Sequence, residues 1–332
     1  APPRPPAAPR PGHATPRVAA PDVALAALPT PSPDHLALHQ DMTAYGEAKA
    51  RLFTELAPKC AVVHVDDPFG AALANRLSTP VIRCSRRPGT VAEVVATRWS
   101  ATRTGNEAVV QPRAGLVMIQ SPMIGEHNLE NILVALGCAD ALGFDLHAVA
   151  NAWRTAGGSP GRLERIGHPG DVAVLVDYAH TPDALRRVLE AARAVTPSRL
   201  IVVFGAGGDR DKGKRPEMGR VGAEVADLCV LTSDNPRSED PQRILDEIEA
   251  GAKGVGGSRL SATQLADARR GYCTLIDRKD AIRAAIGAAS AGDTVLLAGK
   301  GHETVQIVGA ERLHFDDREE ARAAIAGVGG AA

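Results

Sequence analysis

Aromatic side chains are scarce in this chain of 332 residues, at 3%. Without them there is no platform on which unpaired nucleotide bases can stack. Charge of one sign is missing as well: 38 Lys and Arg stand against 39 Asp and Glu, a formal net charge of −1. That balance gives neither nucleic acid nor an anionic lipid surface an electrostatic foothold. No apolar run approaches the length of a membrane span. The five cysteines (Cys60, Cys84, Cys138, Cys229 and Cys273) form no C-x-x-C pair, and most sit in apolar runs. They read as reduced core thiols of a cytoplasmic protein rather than as a disulfide scaffold. Nowhere is Gly-Lys followed by Ser or Thr, so no complete phosphate-binding P-loop is present. The expected partners are therefore small molecules, with no nucleic acid, no membrane and a monomeric chain.

Residues 1–33 are rich in Pro and Ala, with Arg4, Arg10 and Arg17 but a single acid, Asp22. Proline recurs too often there for regular structure, and the expectation is a disordered, extended tail. From Met42 to Leu56 the apolar spacing predicts an amphipathic helix. Ala61–Val65 and Pro80–Cys84 read as strands, residues 91–121 as short antiparallel strands, and 128–142 and 146–154 as helices. Gly157-Gly158-Ser159-Pro160-Gly161 is the best domain boundary. The expected organisation is a tail over 1–33, a central domain over 34–156 and a C-terminal domain over 157–332. Beyond the boundary, strand and helix patterns alternate, which predicts an α/β fold with a doubly wound, mainly parallel sheet.

Each predicted strand of this last domain ends in a loop of Gly or polar groups. Val172–Val176 is followed by Asp177-Tyr178-Ala179-His180, and Leu200–Phe204 by Gly205-Ala206-Gly207-Gly208-Asp209-Arg210. Leu228–Thr232 runs into Asp234-Asn235-Pro236-Arg237, and Thr294–Ala298 into Gly299-Lys300-Gly301-His302-Glu303. The carboxyl edge of an open α/β sheet is where ligands bind, so four such loops predict a lined cleft. Arg237 offers a planar fork suited to a carboxylate or phosphate; the plainer alternative is a solvated arginine in a strand-to-helix turn. Gly208 to Lys214 imitates a P-loop, but Arg215 stands where a metal-binding hydroxyl is needed, and Asp209 and Asp211 would crowd phosphates.

In this order, these loops resemble the C-terminal domain of the Mur ligases, and among them the branch that adds meso-diaminopimelate. The similarity extends upstream through Asp34-His35-Leu36 with His39, Ala48-Lys49-Ala50-Arg51-Leu52-Phe53, and Val65-Asp66-Asp67. It continues through His127-Asn128-Leu129-Glu130-Asn131 and Gly161-Arg162-Leu163-Glu164. The resemblance implies a partial central ATPase domain followed by a Rossmann-like C-terminal domain. It implies an ATP- and Mg2+-dependent ligase of peptidoglycan synthesis. Such an enzyme phosphorylates a carboxylate of UDP-N-acetylmuramoyl-L-alanyl-D-glutamate and lets the amine of meso-diaminopimelate attack the acyl phosphate.

Residue by residue, the resemblance implies that Lys49 becomes a carbamate that binds magnesium, and that His35 helps to hold the same metal. Asn128 and Asn131, at i and i+3 on one helix face, match the pair near adenine. Arg162 matches a phosphate-contacting arginine at the domain hinge, and Asp177 the acid that binds the ribose. Arg237, with Asp234 and Asn235 in its turn, implies recognition of the distal carboxylate of diaminopimelate. Arg210 assists, and Gly299 and Glu303 receive the distal ammonium and carboxylate. The plain alternatives are a solvated helix lysine at 49, polar helix-surface residues at 128 and 131, and a turn cap at 177.

Upstream of Asp34 the resemblance is expected to stop, which leaves the family's sugar-nucleotide domain, its P-loop and the central domain's nucleating strand unmatched. The chain is accordingly read as an N-terminally truncated member; the alternative is a non-catalytic remnant that binds only amino acid or nucleotide. Each lost preorganised phosphate donor costs about a hundredfold to a thousandfold in rate. The expected outcome for a polypeptide of these 332 residues alone is therefore no ligase turnover; ATP-dependent product from the purified chain overturns this.

Overall fold

In the computed structural model, residues 23–29, 42–113, 115–255 and 257–329 are described. The described residues divide into two compact units: those within 1–100, 107–120 and 127–152 form the first, and those within 101–106, 121–126 and 153–332 the second.

The first unit is built on a six-stranded sheet in the order β1 to β6. Its elements are β1 (Leu25–Leu28), α1 (Met42–Thr54), β2 (Cys60–His64), α2 (Pro68–Arg76) and β3 (Val81–Ser85). They continue with β4 (Val94–Thr102), β5 (Gly105–Gln111), β6 (Val117–Ser121), α3 (Glu126–Ala141) and α4 (Leu146–Ala152). Strand β1 corrects the expectation of an unstructured tail up to residue 33. It pairs in parallel with β2, Leu25 opposite Cys60 and Leu28 opposite Val63. Ala26 and Leu28 are buried with Phe53, Val63 and Leu73. The apolar run Val23 to Leu28 lies between Pro21 and Pro29. It is short enough to stop before either proline disturbs the ladder, which is why proline density hid it. Helix α2 also had no sequence-based forecast. Pro68 takes its first position and Asp67 caps it, accepting from the Gly70 amide at 2.9 Å.

The second unit carries the sheet that positions the cleft. Its elements are β7 (Glu164–Ile166), β8 (Ala173–Asp177), α5 (Pro182–Val195), β9 (Leu200–Phe204), α6 (Lys214–Val225) and β10 (Leu228–Leu231). There follow α7 (Pro241–Gly254), β11 (Gly271–Thr274), α8 (Arg278–Gly287), β12 (Thr294–Ala298), β13 (Val305–Val308), β14 (Glu311–His314) and α9 (Asp317–Gly329). The strand order is β11-β10-β9-β12-β8-β7. The first five pair in parallel and β7 joins the edge antiparallel to β8. The central strands are buried on both faces, which explains their unbroken apolar runs. Leu185, Leu189, Met218, Ile244 and Ile248 of α5, α6 and α7 pack with Leu175, Val202, Leu231 and Leu296. Ile282, Ile286 and Ile325 of α8 and α9 pack with Val174, Ile201, Val230 and Val295. Helices on both faces make this a doubly wound α/β fold, as the alternating pattern predicts.

Beneath the sheet's carboxyl edge, Arg278 of α8 and Asp317 of α9 form a fully buried pair, with contacts of 2.8 and 2.7 Å. Arg278 also donates to the Ala298 carbonyl at the end of β12, at 3.0 Å. Asp317→Ala leaves that guanidinium buried without a counter-charge and is expected to cost about 3–5 kcal/mol in urea unfolding. The double change Arg278→Met with Asp317→Leu is expected to cost less; an equal or larger loss overturns the assignment.

Candidate functional site

The carboxyl ends of β8, β9, β10 and β12 surround a cleft of about 220 Å3. It is lined by Tyr178 and His180, by Gly207, Arg210 and Lys214, by Asp234, Asn235 and Arg237, and by Gly299 and Glu303. The four loops singled out in the sequence thus converge on one space.

The loop after β9 has glycines for a reason unrelated to phosphate. A Cβ on Gly208 would lie 1.8 Å from the Pro236 carbonyl oxygen, so only glycine lets the two backbones meet. The Gly208 amide donates to the Asn235 carbonyl at 2.9 Å. Arg215, at the position where a P-loop needs its hydroxyl, is fully buried and turns away from the cleft. Its guanidinium donates to Glu239 at 2.8 and 3.1 Å, to Glu247 at 2.9 Å and to the Gly207 carbonyl at 3.3 Å. The resemblance to a P-loop is therefore one of letters only.

The Asp234-Asn235-Pro236-Arg237 turn is held from several sides. Arg237 has a left-handed backbone, φ 53°, unusual for a residue with a side chain. Its amide donates to the Ile307 carbonyl at 3.0 Å and its carbonyl accepts from the Gly309 amide at 2.7 Å. The β13–β14 hairpin, which the sequence reading missed, therefore clamps the turn. The Arg237 Nη1 donates to the Gly208 carbonyl at 2.7 Å, while Nε and Nη2 meet no oxygen among the described residues. Asn235 donates from Nδ2 to Glu303 Oε2 at 3.1 Å and accepts at Oδ1 from the Ile307 amide at 3.0 Å. Arg210 is exposed in the cleft and makes no ion pair among the described residues.

Lys214 reaches the His180 carbonyl at 2.9 Å. Burial pushes its ammonium below the usual lysine range, Arg210 and Arg215 push the same way, and Asp234 and Asp211 oppose them. Burial raises the Tyr178 hydroxyl, and the nearby Glu303 and Asp234 carboxylates add to it. Arg162 lies over the Tyr178 ring at 5.2 Å, and the His302 ring centre is 5.1 Å from that of Tyr178. Gly161 has φ 67°, and a Cβ there would lie 2.2 Å from the His302 amide nitrogen. The loops bearing Arg162 and Glu303 thus touch through backbone.

Asp177 lies beneath this edge and does not line the cleft. Its Oδ1 accepts from the Ala179 amide and its Oδ2 from the Leu163 amide, both at 2.8 Å, the turn-capping geometry. In the first unit, Asn128 and Asn131 sit at i and i+3 of α3, half-buried and exposed respectively. Lys49 is half-buried on α1. His35 lies outside the described residues. Asp66 is structural in setting: burial would raise its carboxyl, but His64, Ser85 and the Arg86 amide hold it at about 2. No three His, Cys, Asp or Glu side chains gather as metal ligands among the described residues. No described helix is long and apolar enough to cross a membrane.

A doubly wound sheet with a charged cleft at its carboxyl edge defines a ligand-binding α/β protein. The comparisons with known proteins say which. The pattern described as "Mur ligase, glutamate ligase domain" matches residues 161–301, and "Mur ligase middle domain" matches 12–139. The chain belongs to the Mur ligase family, whose members are ATP-dependent acid–amino-acid ligases. The second match also corrects the expectation that the resemblance stops at Asp34. The UDP-N-acetylmuramoyl-L-alanyl-D-glutamate--2,6-diaminopimelate ligase of Gloeobacter violaceus is 47% identical over 294 residues, 88% of this chain and 57% of that one. Its counterpart in Geobacter metallireducens is 42% identical over 300 residues, 88% and 58% of the two chains. A solved ligase of the same description superposes with a TM-score of 0.67 at 35% identity, over 92% of this chain and 61% of that one. A MurF ligase of Thermotoga maritima, solved with ADP, shares the fold at 17% identity and TM-score 0.60, over 93% of this chain and 62% of that one. The chain thus spans less than two thirds of the length of these relatives.

The Arg215–Glu239 tie also makes a pH prediction. Hydrogen bonds from Arg215 and the Asp209 amide hold the Glu239 carboxyl at about 2, against an ordinary 4.5. A lowered carboxylate stabilises the fold above its unfolded value, and that stabilisation is lost as pH falls through the folded one. Glu239→Gln is expected to lower the urea midpoint near neutrality and to flatten the decline between about pH 4.5 and 2. Parallel curves for wild type and variant across that window overturn the link.

Proposed function

We propose that this chain supplies the amino-acid-binding part of an ATP-dependent ligase joining meso-diaminopimelate to UDP-N-acetylmuramoyl-L-alanyl-D-glutamate. The observation that carries the reading is the cleft's mixed charge. Arg210, Arg237 and Lys214 stand opposite Asp234 and Glu303 within about 220 Å3, a setting for a small molecule bearing both carboxylates and ammonium groups. Identities above 40% to two relatives of that description support it.

In this reaction the acceptor nitrogen forms a bond to an acyl-phosphate carbon, the carbon–oxygen bond to phosphate breaks, and the amine loses a proton. An ammonium has no lone pair, so the reacting amine must be presented unprotonated and in line with the acyl carbon. The chain's contribution is orientation, which removes much of the entropic barrier to a bimolecular step. Arg237 offers its open Nε–Nη2 edge to the distal carboxylate, and Arg210 adds a second cation. Gly299 and Glu303 receive the distal ammonium. Lys214 and Tyr178 line the part of the cleft left for the remaining end of the ligand.

For the nucleotide, we assign Asn128 and Asn131 to adenine, Asp177 to the ribose and Arg162 to phosphate. Asp177 already accepts from the Leu163 and Ala179 amides. ATP supplies the phosphoryl group that activates the carboxylate. The described residues do not by themselves make a magnesium site, since Lys49 as an ammonium has no lone pair for a cation and His35 is not described. The assignment of Lys49, as a carbamate, and of His35 to magnesium rests on the family resemblance.

Calorimetric titration of the full chain with meso-diaminopimelate and with L-lysine tests the reading. Lysine lacks the distal carboxylate and leaves Arg237 unpaired. The expected preference for meso-diaminopimelate is about tenfold to a hundredfold, the worth of one charge-assisted bidentate contact at about 1.5–3 kcal/mol. Arg237→Ala is expected to erase most of it while unfolding stays cooperative. Equal affinity of the wild type for both amino acids overturns the assignment.

A further inference from the structure

Lys300 is fully buried at the base of the cleft. Its ammonium donates to the Val305 carbonyl at 2.7 Å, to Asn235 Oδ1 at 3.3 Å and to Glu303 Oε2 at 3.4 Å, with Asp234 Oδ1 at 3.9 Å. All three N–H bonds are thereby used, and two carboxylates offset a charge that burial would otherwise make prohibitive. The three side chains it touches, Asp234, Asn235 and Glu303, all line the cleft.

The consequences for their orientation are specific. Asn235 Oδ1 points at Lys300 and the Ile307 amide, so its Nδ2 is turned to Glu303 Oε2 at 3.1 Å. Glu303 is then fixed through that one oxygen by two donors, Lys300 and Asn235. A glutamate on a glycine-rich loop, with 34% of its side chain exposed, has several rotamers open to it unless something selects one.

We propose that Lys300 is a positioning residue, which acts through Asn235 and Glu303 to present the Glu303 carboxylate to the ligand's distal ammonium. The proposal rests on the amino-acid reading above and deepens it. It makes a prediction opposite in sign to simple electrostatics. Removing a cation from the cleft would by charge alone strengthen ammonium binding; removing a positioner weakens it, because Glu303 swings to solvent.

The test is calorimetry on the full chain with three compounds: meso-diaminopimelate, L-lysine and 2-aminopimelate, the last with a distal carboxylate but no distal ammonium. Lys300→Met is expected to weaken the two ammonium-bearing ligands about tenfold and to change 2-aminopimelate little. In a Glu303→Gln background the same substitution is expected to have no ammonium-specific effect. Should Lys300→Met fail to unfold cooperatively, Lys300→Arg carries the test. The guanidinium keeps the charge, but its planar fork cannot serve the same three oxygens, so the same ligand-specific loss is expected. Uniform weakening of all three ligands, unchanged affinities, or tighter ammonium binding overturns the positioning role and leaves the amino-acid reading standing. A wild type that binds none of the three overturns both.

Discussion

One buried guanidinium holds two of the cleft's loops in register. Arg215 is the second residue of α6, just after the glycine-rich loop, yet its head reaches across to Glu239, beyond the turn that follows β10. A charge without exposed surface persists only when it is paired, and here the pairing crosses from one strand's loop to the next. The Gly208 and Pro236 backbones are pressed together as well. The carboxyl ends of β9 and β10 therefore behave as one element, which carries both Arg210 and Arg237 into the same cleft. Functional side chains mounted on such an element hold their geometry better than on separate loops.

The second unit was legible in the sequence for a physical reason. Leu200–Phe204 and Thr294–Ala298 are buried on both faces, and such strands show as unbroken apolar runs bounded by turn residues. Where a segment is short or half-exposed, that signal fades. Gly271–Thr274 has four residues and begins with glycine, and the β13–β14 hairpin is exposed along β14 and only partly buried along β13. Leu25–Leu28 was hidden by the prolines around it, although its alternate residues are buried. All of these strands lie next to loops or edges, where local pattern is weakest and tertiary pairing decides.

The site divides in a similar way. The loops that line the cleft announce themselves by residue type, as Asp-Asn-Pro-Arg at Arg237 and Gly-Lys-Gly-His-Glu at Glu303. What supports them does not. Lys300, Arg215 and Arg278 are each fully buried cations, and a buried cation is written with the same letter as a solvated one. Their carboxylate partners are 3, 24 and 39 residues further along the chain, so no local window contains the longer pairings. For Asp177 the sequence offered a turn cap as the plain alternative, and the Ala179 amide supplies that cap; only the second partner, the Leu163 amide fourteen residues earlier, lay outside any local window.

Backbone strain points to the same part of the molecule. Only four residues other than glycine have a left-handed backbone among those described: Ala57, Leu163, Asp209 and Arg237. Asp209 and Arg237 belong to the two loops that Arg215 ties, and Leu163 follows the arginine that stacks on Tyr178. Such conformations cost ~1–3 kcal/mol each and persist where surrounding contacts over-determine them. At Arg237 those contacts are explicit: two backbone hydrogen bonds to the β13–β14 hairpin and one from its own Nη1 to Gly208. The side chain is thus held in place before any ligand arrives, with its Nε–Nη2 edge turned to no protein acceptor among the described residues. An arginine held this way surrenders little further freedom on binding. The hairpin that no sequence pattern revealed therefore fixes the Arg237 backbone as firmly as the Asp-Asn-Pro-Arg turn itself.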